Sequence, residues 1–487
     1  MPDRDYDLLV IGAGIIGSRV ALEAAQAGLK VALYDARDFG AATSQSSSKL
    51  IHGGLRYLPM GDVGLVRESH RERRALLDRV APHLVWPLEF LVPIYKGIGQ
   101  ALEIWGGLVT YSALSGFRHS RAWLISGRRA RMLVPELKLE HLTACGVLED
   151  AQTSDNRLVI ATVVAAARLG VDVFNHTPVV GLEKGAAHVQ TPDGPATVRS
   201  RMFVNAAGPW VDAVRRLEDP RAEAMSRLSK GVHVLLPLPS EWKAAVAGPV
   251  GGTRVAFALP WEGRLMLGTT DTPYDGDADQ VTVEDADIDQ VFGEASLSLP
   301  EELLRRDRIV YSFAGLRVLE LGGPTTAETP REHVITSGRL GMVSVAGGKL
   351  TTHRRIAMDV LRRLDDRRAR EHRLRDVPLP GAGPMPPRPD EVEPEVWDHL
   401  RRHYGSEVSE LLKYRETEPD ALERVHPEGP DIWAQVHHGV RAEWATTVED
   451  VVRRRTSLAV RGLATSQVRA RIADVMGLQP SPVEPGS

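Results

Sequence analysis

The sequence is poor in cysteine and contains no long apolar run. Its 487 residues include one cysteine, Cys145, which excludes an internal disulfide framework and any metal or iron–sulfur site built from several cysteines. No run of about 18 apolar residues occurs, so no membrane-spanning helix is predicted. The first apolar run starts at Leu8, which leaves no room for a signal peptide. We therefore expect a cytoplasmic protein in which Cys145 is a small buried residue.

Excess charge of one sign is also missing. The formal net charge is −4, with 25% charged residues, and this balance argues against a nucleic-acid partner. A hydrophobic content of 43% is typical of globular proteins. The length predicts two or three domains that bury large cores.

Residues 7–35 predict a strand, a tight turn, a helix and a second strand. The apolar run Leu8–Ile11 ends at Gly12, which opens the pattern G-x-G-x-x-G with Gly14 and Gly17. In such a unit the first glycine permits the turn, the second lets a pyrophosphate approach the backbone, and the third lets helix and strand pack closely. The phosphates lie at the helix N-terminus. Asp35 closes the second strand, where an acid accepts hydrogen bonds from a ribose. The segment predicts a dinucleotide site.

The remaining pattern predicts an α/β protein, in part α+β, with a discontinuous Rossmann-like domain. Small residues after the apolar strand at 201–205 indicate a second close approach of backbone to cofactor. Alternating strands between residues 230 and 335 indicate an antiparallel sheet that carries substrate. The predicted divisions are 1–60, 142–210 and 336–378 for the cofactor domain, 61–141 and 211–335 for the substrate domain, 379–394 for a proline-rich linker, and 395–478 for a helical C-terminal domain.

Five stretches of the sequence form a recognisable set. The most specific is ATSQSSSKLIHGGLRYL at 42–58. The supporting stretches are NAAGPWVD (205–212), LGTTD (267–271), AGLRVL (314–319) and AGGKLTTHRR (346–355). Together, and in this order, they resemble the FAD-dependent, respiratory glycerol-3-phosphate dehydrogenases of the amino-acid-oxidase-like flavoprotein superfamily. The helical C-terminal part is similar to the family's cap domain. Val318 stands where the family usually has proline, and His353 stands where it usually has tyrosine. Neither departure removes a charged group.

The resemblance implies noncovalent FAD and the oxidation of sn-glycerol 3-phosphate to dihydroxyacetone phosphate by hydride transfer to flavin N5. The residues expected to bind FAD are Gly12, Gly14, Gly17, Asp35, Thr43, Ser44, Ser48, Lys49, Leu50, His52, Gly53, Gly54, Val179, Ala207, Gly208, Trp210, Gly348, Lys349, Leu350 and Thr351. Lys349 is expected at a helix start, where its charge would stabilise reduced flavin.

The substrate phosphate requires a cationic clamp, and arginine forks hold phosphate best. By the resemblance, Arg56, Arg317 and Arg331 belong to the substrate pocket. Arg317 lies between apolar neighbours, where an unpartnered charge would be costly. The expected hydrogen-bond partners of substrate oxygens are Tyr57, Thr269 and Thr270.

The catalytic base is assigned first to His233. An unperturbed histidine pKa near 6.5 suits proton abstraction at neutral pH. The alternative is that His233 has only a structural role, with its ring hydrogen-bonded within the sheet. His52 is the rival base, and it could also pack against the flavin.

The resemblance implies that electrons pass to a membrane quinone, with a homodimer as a further expectation. The nearest alternative is a glycerol-3-phosphate oxidase that uses oxygen, although members of that family carry an insertion for which this chain is too short. An amino-acid oxidase would need a group that binds the substrate carboxylate, and the three arginines would be unexplained. A flavin-binding sensor protein would leave Arg56, His233, Arg317 and Lys349 without a role.

The expected location is the cytoplasmic membrane surface, as a peripheral or monotopic protein. The predicted contact is the basic segment Thr352–Asp376, whose first half alternates apolar residues with arginines at helical spacing. The alternative for this segment is a solvated helix in which arginines pair with nearby acids.

Overall fold

The structure, a computed structural model, describes residues 5–55, 58, 61–118, 120–251, 254–321 and 333–478. The predicted site residues Arg56, Tyr57 and Arg331 lie outside these ranges. The chain divides into two compact units, 1–379 and 380–487. Among the described residues, no helix is both long enough and apolar enough to cross a lipid bilayer.

The described elements of the first unit are eighteen strands and nine α-helices. The strands are β1 (Tyr6–Ile11), β2 (Val31–Tyr34), β3 (Leu50–Ile51), β4 (Val85–Ile94), β5 (Ala122–Ile125), β6 (Ala144–Thr153), β7 (Asp172–Phe174), β8 (Val179–Glu183), β9 (Ala186–Thr191), β10 (Gly194–Asn205), β11 (Ser226–Pro237), β12 (Ala245–Gly251), β13 (Arg254–Trp261), β14 (Arg264–Gly268), β15 (Thr272–Tyr274), β16 (Tyr311–Glu320), β17 (His333–Ser337) and β18 (Val343–Gly347). The helices are α1 (Ile15–Gln26), α2 (Val63–Ala75), α3 (Gly97–Leu114), α4 (Gly127–Leu133), α5 (Asp155–Arg168), α6 (Val211–Glu218), α7 (Asp285–Ala295), α8 (His353–Leu361) and α9 (Arg367–Glu371).

The first sheet is centred on β1. Its main path runs β17-β18-β10-β1-β2-β7, and β1 pairs in parallel with both β2 and β10. Leu8, Leu9 and Val10 are fully buried, as expected for a parallel strand that is covered on both faces. Because the carboxyl ends of parallel strands share one edge, the residues that follow β1, β2, β10 and β18 meet there.

The second sheet is mainly antiparallel and runs β15-β11-β14-β13-β12-β4-β6-β3. β16 joins it beside β11, and β5 joins it beside β6. Residues 142–210 were predicted to belong to the cofactor domain. Their first part instead belongs to the second sheet, because β6 pairs with β4 along its whole length. Cys145 lies on β6 and is fully buried. Burial raises the pKa of its thiol to about 12.

The second unit is helical in its described part, which confirms the predicted helical C-terminal domain. Its helices are α10 (Pro394–Tyr404), α11 (Val408–Leu412), α12 (Trp433–Ala442), α13 (Val448–Asp450) and α14 (Ser466–Val475). At its centre, buried Asp431 accepts hydrogen bonds from the Ser457 hydroxyl at 2.7 Å and from the Ser457 amide at 3.0 Å. Burial opposes ionisation of Asp431, but the adjacent His399 imidazole, 2.9 Å away, brings the pKa of the carboxyl down to about 2.

A buried charge network joins α1, α2 and α8. The Glu72 carboxylate accepts from Arg354 at 3.1 Å and from Arg355 at 2.9 Å. Glu23 pairs with Arg19 one turn earlier and lies 2.7 Å from His372. Each of these carboxylates therefore has a cation beside it, as buried charges require.

This packing shows that the predicted membrane contact at Thr352–Asp376 is wrong. Helix α8 ends at Leu361, and its apolar side is covered by α1. The apolar residues assigned to the membrane are at most 2% exposed: Ile356, Met358, Val360, Leu361 and Leu364. Four of the exposed arginines pair with acids, namely Arg362 with Asp359, Arg367 with Glu371, Arg368 with Asp366 and Arg370 with Asp365. An amphipathic pattern alone does not distinguish a core-facing helix from an interfacial one.

Two buried histidines predict that the fold is sensitive to acid. Burial lowers the pKa of His70 and of His353 to about 3, against about 6.5 in the unfolded chain. Below about pH 6.5 the unfolded state therefore binds protons that the folded state does not, and each histidine lowers the free energy of unfolding by about 1.4 kcal/mol per pH unit. Between about pH 6.5 and 5, the free energy of unfolding of His70→Leu should fall less steeply with decreasing pH than that of the wild type, by about 1.4 kcal/mol per pH unit. Denaturant unfolding at several pH values measures this difference.

The control is His141→Asn, because the His141 side chain is 83% exposed and should leave the slope unchanged. An identical pH slope in His70→Leu and in the wild type would contradict the assignment of His70 as a neutral buried group.

Candidate functional site

The turn after β1 is formed by glycines that no other residue could replace. Gly12 has a φ of +97°, and a Cβ there would lie 2.6 Å from the carbonyl oxygen of Ala206. A Cβ on Gly17 would lie 1.8 Å from the carbonyl oxygen of Gly12. The N-cap of α1 is Gly14, whose position carries no side-chain cap. The Ile15 amide donates to the Ser44 hydroxyl at 3.0 Å. The bare backbone of this turn and the N-terminus of α1 thus form a cradle suited to a pyrophosphate.

Asp35 follows β2 at the same sheet edge. Its carboxylate accepts hydrogen bonds from the amides of Ala13 at 2.6 Å and Arg37 at 2.9 Å. Burial raises the pKa of the Asp35 carboxyl to about 6, while the Arg37 and Ala13 amides limit the rise. The Arg37 guanidinium lies 4.6 Å from the centre of the Trp210 ring. This end of the site combines an acid with a flat apolar surface, as an adenosine requires.

The serine-rich segment between β2 and β3 is held by a buried ion pair. The Lys49 ammonium lies 2.8 Å from both oxygens of Asp155 and donates to the Gln45 carbonyl at 2.6 Å. The Ser47 hydroxyl donates to Asp155 at 2.7 Å. Both members of the pair are at most 1% exposed. Lys49 therefore positions the segment, and its ammonium does not face the cavity.

The backbone at His52 and Gly53 is fixed from two sides. The Thr351 hydroxyl accepts from the His52 amide at 3.2 Å, and Asp150 accepts from the Gly53 amide at 3.2 Å. Asp150 is itself bound by the Tyr111 hydroxyl at 2.8 Å. A Cβ on Gly53 would lie 2.4 Å from Tyr111, so this glycine is required by the packing.

His233 is buried on β11 and faces the serine-rich segment. Its Nε2 lies 2.9 Å from the Ser48 hydroxyl, and its ring stacks on Phe313 with 5.0 Å between the ring centres. Burial, followed by the charges of Arg317 and Lys49, lowers the pKa of His233 well below its usual value. The prediction of an unperturbed pKa is therefore wrong: the ring is neutral at neutral pH, and the neutral form can accept a proton.

Arg317 is held in place by the loop after β14. Its Nη1 donates to the Thr270 carbonyl at 3.0 Å, and its Nη2 donates to the Thr269 hydroxyl at 2.6 Å. The Asp271 carboxylate lies 3.7 Å away. A Cβ on Gly231 would lie 2.4 Å from the guanidinium, so glycine leaves the space that this cation occupies. The site thus holds a partly buried, oriented cation, which is the group an anionic substrate requires.

Lys349 lies in the turn between β18 and α8. The helix begins at His353, four residues after Lys349, which was expected at the helix start. Gly348, at a φ of +90°, leaves room for Ile356, which a Cβ would approach to 2.4 Å.

A single cavity of about 1190 Å³ connects these groups. The predicted residues that line it are Gly12, Gly14, Asp35, Thr43, Ser44, Ser48, Leu50, His52, Val179, Ala207, Gly208, Trp210, His233, Thr269, Arg317, Gly348, Lys349, Leu350 and Thr351. The predicted residues that lie behind its walls are Gly17, Lys49, Gly53, Gly54 and Thr270. Thr270 is fully buried and accepts from the Val232 amide at 3.0 Å. It therefore supports Arg317 from behind, in place of the expected contact with substrate.

Sequence reasoning missed three charged residues around the cavity. Asp155 and Asp150 fix the loops described above, and Arg254 lies on the cavity wall. Asp155 is separated from Lys49 by 106 positions, so local pattern could not connect them. Asp150 and Arg254 could have been noticed in the sequence, because each is a charged residue in a mainly apolar strand. A charge buried in such a strand is costly unless it has a partner.

Comparisons with known proteins agree with this arrangement. Residues 7–354 match the family model described as FAD dependent oxidoreductase, and residues 345–479 match the C-terminal domain of alpha-glycerophosphate oxidase. The chain is 34% identical to the glycerol-3-phosphate dehydrogenase of Synechocystis, over 93% of this chain and 89% of that protein. The chain belongs to the FAD-dependent glycerol-3-phosphate dehydrogenase family.

Other members of the family support the same assignment. The human mitochondrial glycerol-3-phosphate dehydrogenase is 33% identical over 97% of this chain and 70% of its own length. The crystal structure of the Bacillus halodurans glycerol-3-phosphate dehydrogenase complexed with FAD has a TM-score of 0.70 at 26% identity, covering 98% of this chain and 95% of that chain. The predicted fold class and FAD cofactor are confirmed. The glycine cradle, the acid at Asp35 and the size of the cavity fit FAD in this chain.

Asp35 predicts a pH-dependent affinity for FAD. An ionised carboxylate accepts hydrogen bonds from ribose hydroxyls, and its pKa in the free site is about 6. We therefore expect the FAD affinity of the apoprotein to be constant above that pH and to fall below it by up to about tenfold per pH unit. Fluorescence titration of the apoprotein with FAD measures the effect.

Asp35→Asn should weaken FAD binding at every pH and remove this dependence. Asp38→Asn is the matched control: the Asp38 charge raises the pKa of Asp35, so its loss should move the midpoint to lower pH. Equal pH dependence in the wild type and in Asp35→Asn would refute the assignment.

Proposed function

We propose that the protein oxidises sn-glycerol 3-phosphate to dihydroxyacetone phosphate. The observation that carries the proposal is the oriented guanidinium of Arg317 in the same cavity as the glycine cradle. The names of the relatives support the same reaction. Bound FAD would supply the acceptor for the hydride that leaves carbon 2.

Arg317 is proposed to bind the phosphate of the substrate, and Arg56 and Arg331 are further predicted phosphate-binding residues. Charge-assisted hydrogen bonds from a guanidinium fork fix both the position and the orientation of a phosphate. With Thr269 and Thr270 occupying one side of Arg317, the guanidinium is preorganised before substrate binds.

His233 is proposed to accept the proton of the carbon 2 hydroxyl. Its low pKa keeps the imidazole neutral, and the Ser48 hydroxyl holds the ring at 2.9 Å. A bound phosphate dianion offsets the charges of Arg317 and Lys49, which favours protonation of the ring during the reaction. His52 remains the rival base because it lines the same cavity. Lys349 follows β18 and lines the same cavity, and we propose that it would stabilise negative charge on the reduced cofactor.

Anaerobic mixing tests the reaction and the base together. Glycerol 3-phosphate should bleach the flavin absorbance of the holoprotein, whereas glycerol and amino acids should not. His233→Asn should slow this bleaching by about 10²–10⁴-fold with a smaller change in substrate affinity, because general bases act mainly on the chemical step. His52→Asn is the matched comparison.

A normal bleaching rate in His233→Asn, with a slow rate in His52→Asn, would transfer the role to His52. Bleaching by an amino acid instead of glycerol 3-phosphate would refute the proposed reaction. Release of the flavin by acid precipitation is expected, since we propose noncovalent FAD.

We further propose a membrane quinone as the electron acceptor, with the protein on the cytoplasmic membrane surface. Helix α3 supports this proposal. Ile98, Leu102 and Trp105 are 74%, 62% and 43% exposed along one side of the helix. Its only charged residue is Glu103, and Lys96 and Arg118 flank it. An apolar helix face with cations at its ends suits an anionic lipid surface.

The cavity reaches the same helix. Ile104, Gly107 and Leu108 of α3 line it together with Phe90 and Val92 of β4. Glu103 and Thr110 of the same helix line it as well, so this part of the lining is mostly apolar. A lipid-soluble acceptor could therefore approach the cofactor site from the bilayer.

Vesicle sedimentation tests the α3 contact. Replacing Ile98, Leu102 and Trp105 together by glutamine should abolish binding to vesicles of anionic lipid and leave turnover with a water-soluble dye unchanged. The control replaces Leu169, Val180 and Leu297, which are each at least half exposed elsewhere, and should bind as the wild type does.

Equal sedimentation of both triple variants would exclude α3 as the contact. Failure of the wild type to bind vesicles would favour oxygen or a soluble acceptor. Light scattering decides whether a second copy of the chain covers α3, as the expected homodimer could.

A further inference from the structure

Arg254 lies at the start of β13 on the wall of the cavity that also contains Arg317. Its Nη2 lies 2.7 Å from the nearer oxygen of Glu294 and 3.4 Å from the carbonyl oxygen of Thr269. Among the described residues, its hydrogen bonds all involve Nη2. The side chain is 30% exposed and lines the cavity.

Thr269 is in contact with two guanidinium groups. Arg317 donates to its hydroxyl at 2.6 Å, and Arg254 contacts its carbonyl oxygen. Two cations this close repel each other unless anions lie beside them. Asp271 and Glu294 supply one carboxylate each. A dianionic ligand between the two guanidiniums would form charge-assisted hydrogen bonds with both and offset their repulsion.

We propose that Arg254 is a further phosphate-binding residue that determines the preference for a phosphorylated substrate. The proposal rests on the proposed function. Glu294, which is 12% exposed, is itself held by the Gln290 side-chain amide at 2.9 Å. It therefore orients Arg254 from α7, as Thr269 and Thr270 orient Arg317.

A purely structural role makes a different prediction. If Arg254 served only to attach α7 to the sheet, its loss and the loss of Glu294 would have the same effect, because each breaks the same ion pair. Both variants would then lower thermal stability and leave substrate affinity unchanged.

The experiment compares Arg254→Met, Arg254→Lys and Glu294→Gln as holoproteins. Arg254→Met should raise the KM for glycerol 3-phosphate by about tenfold to a hundredfold with a smaller change in kcat, since one charge-assisted contact to phosphate is lost. Arg254→Lys should recover part of that loss. Glu294→Gln should keep the KM within about threefold of the wild type, because the guanidinium remains.

A second measurement is independent of turnover. Inorganic phosphate should perturb the flavin spectrum of the wild type, and Arg254→Met should need about tenfold more phosphate at constant ionic strength. A KM and a phosphate affinity within twofold of the wild type in Arg254→Met would overturn the proposal. Equal KM increases in Arg254→Met and Glu294→Gln would do the same. Absence of flavin reduction in the wild type would instead refute the proposed function.

Discussion

The ion pair between Lys49 and Asp155 is the contact on which the arrangement of the site depends. It is nearly inaccessible to water, and removing one member of such a pair typically costs about 3–5 kcal/mol because the other charge is left buried. Lys49 is the last residue of the serine-rich segment, and Asp155 is the first residue of α5, which follows β6 in sequence. The pair therefore fixes Ser48, and through it His233, relative to the glycine cradle. A lost pair would displace His233, the proposed base, and the serine-rich segment together.

The two sheets contribute different physical properties to the cavity. The first provides bare backbone and helix amides at one edge, which suit an anion that is held without a formal positive charge. The second provides cations whose positions are set by the loop after β14, and these suit a substrate whose phosphate must be oriented. The dry wall around His233 keeps its imidazole neutral.

Local sequence was sufficient for some parts of this site and insufficient for others. Gly12, Gly17 and Asp35 were predicted because each is needed within one strand–turn–helix unit. The helical pattern after Thr352 was read correctly as amphipathic, but amphipathicity does not say whether α1 or lipid covers the apolar side. Thr270 was placed at the substrate together with Thr269, in the stretch 267–271 that carries the resemblance, but of the two only Thr269 lines the cavity. Which of two adjacent residues points inward depends on the backbone, and one sequence does not reveal it.

The burial of Cys145 makes the molecule convenient for spectroscopy. The chain has one cysteine, and burial together with a thiol pKa of about 12 leaves almost no reactive thiolate at neutral pH. Any cysteine introduced at the surface would therefore be the only site that a maleimide or a spin label modifies quickly. Pairs of such labels, one in 1–379 and one in 380–487, would report the separation of the two units without first removing a native residue.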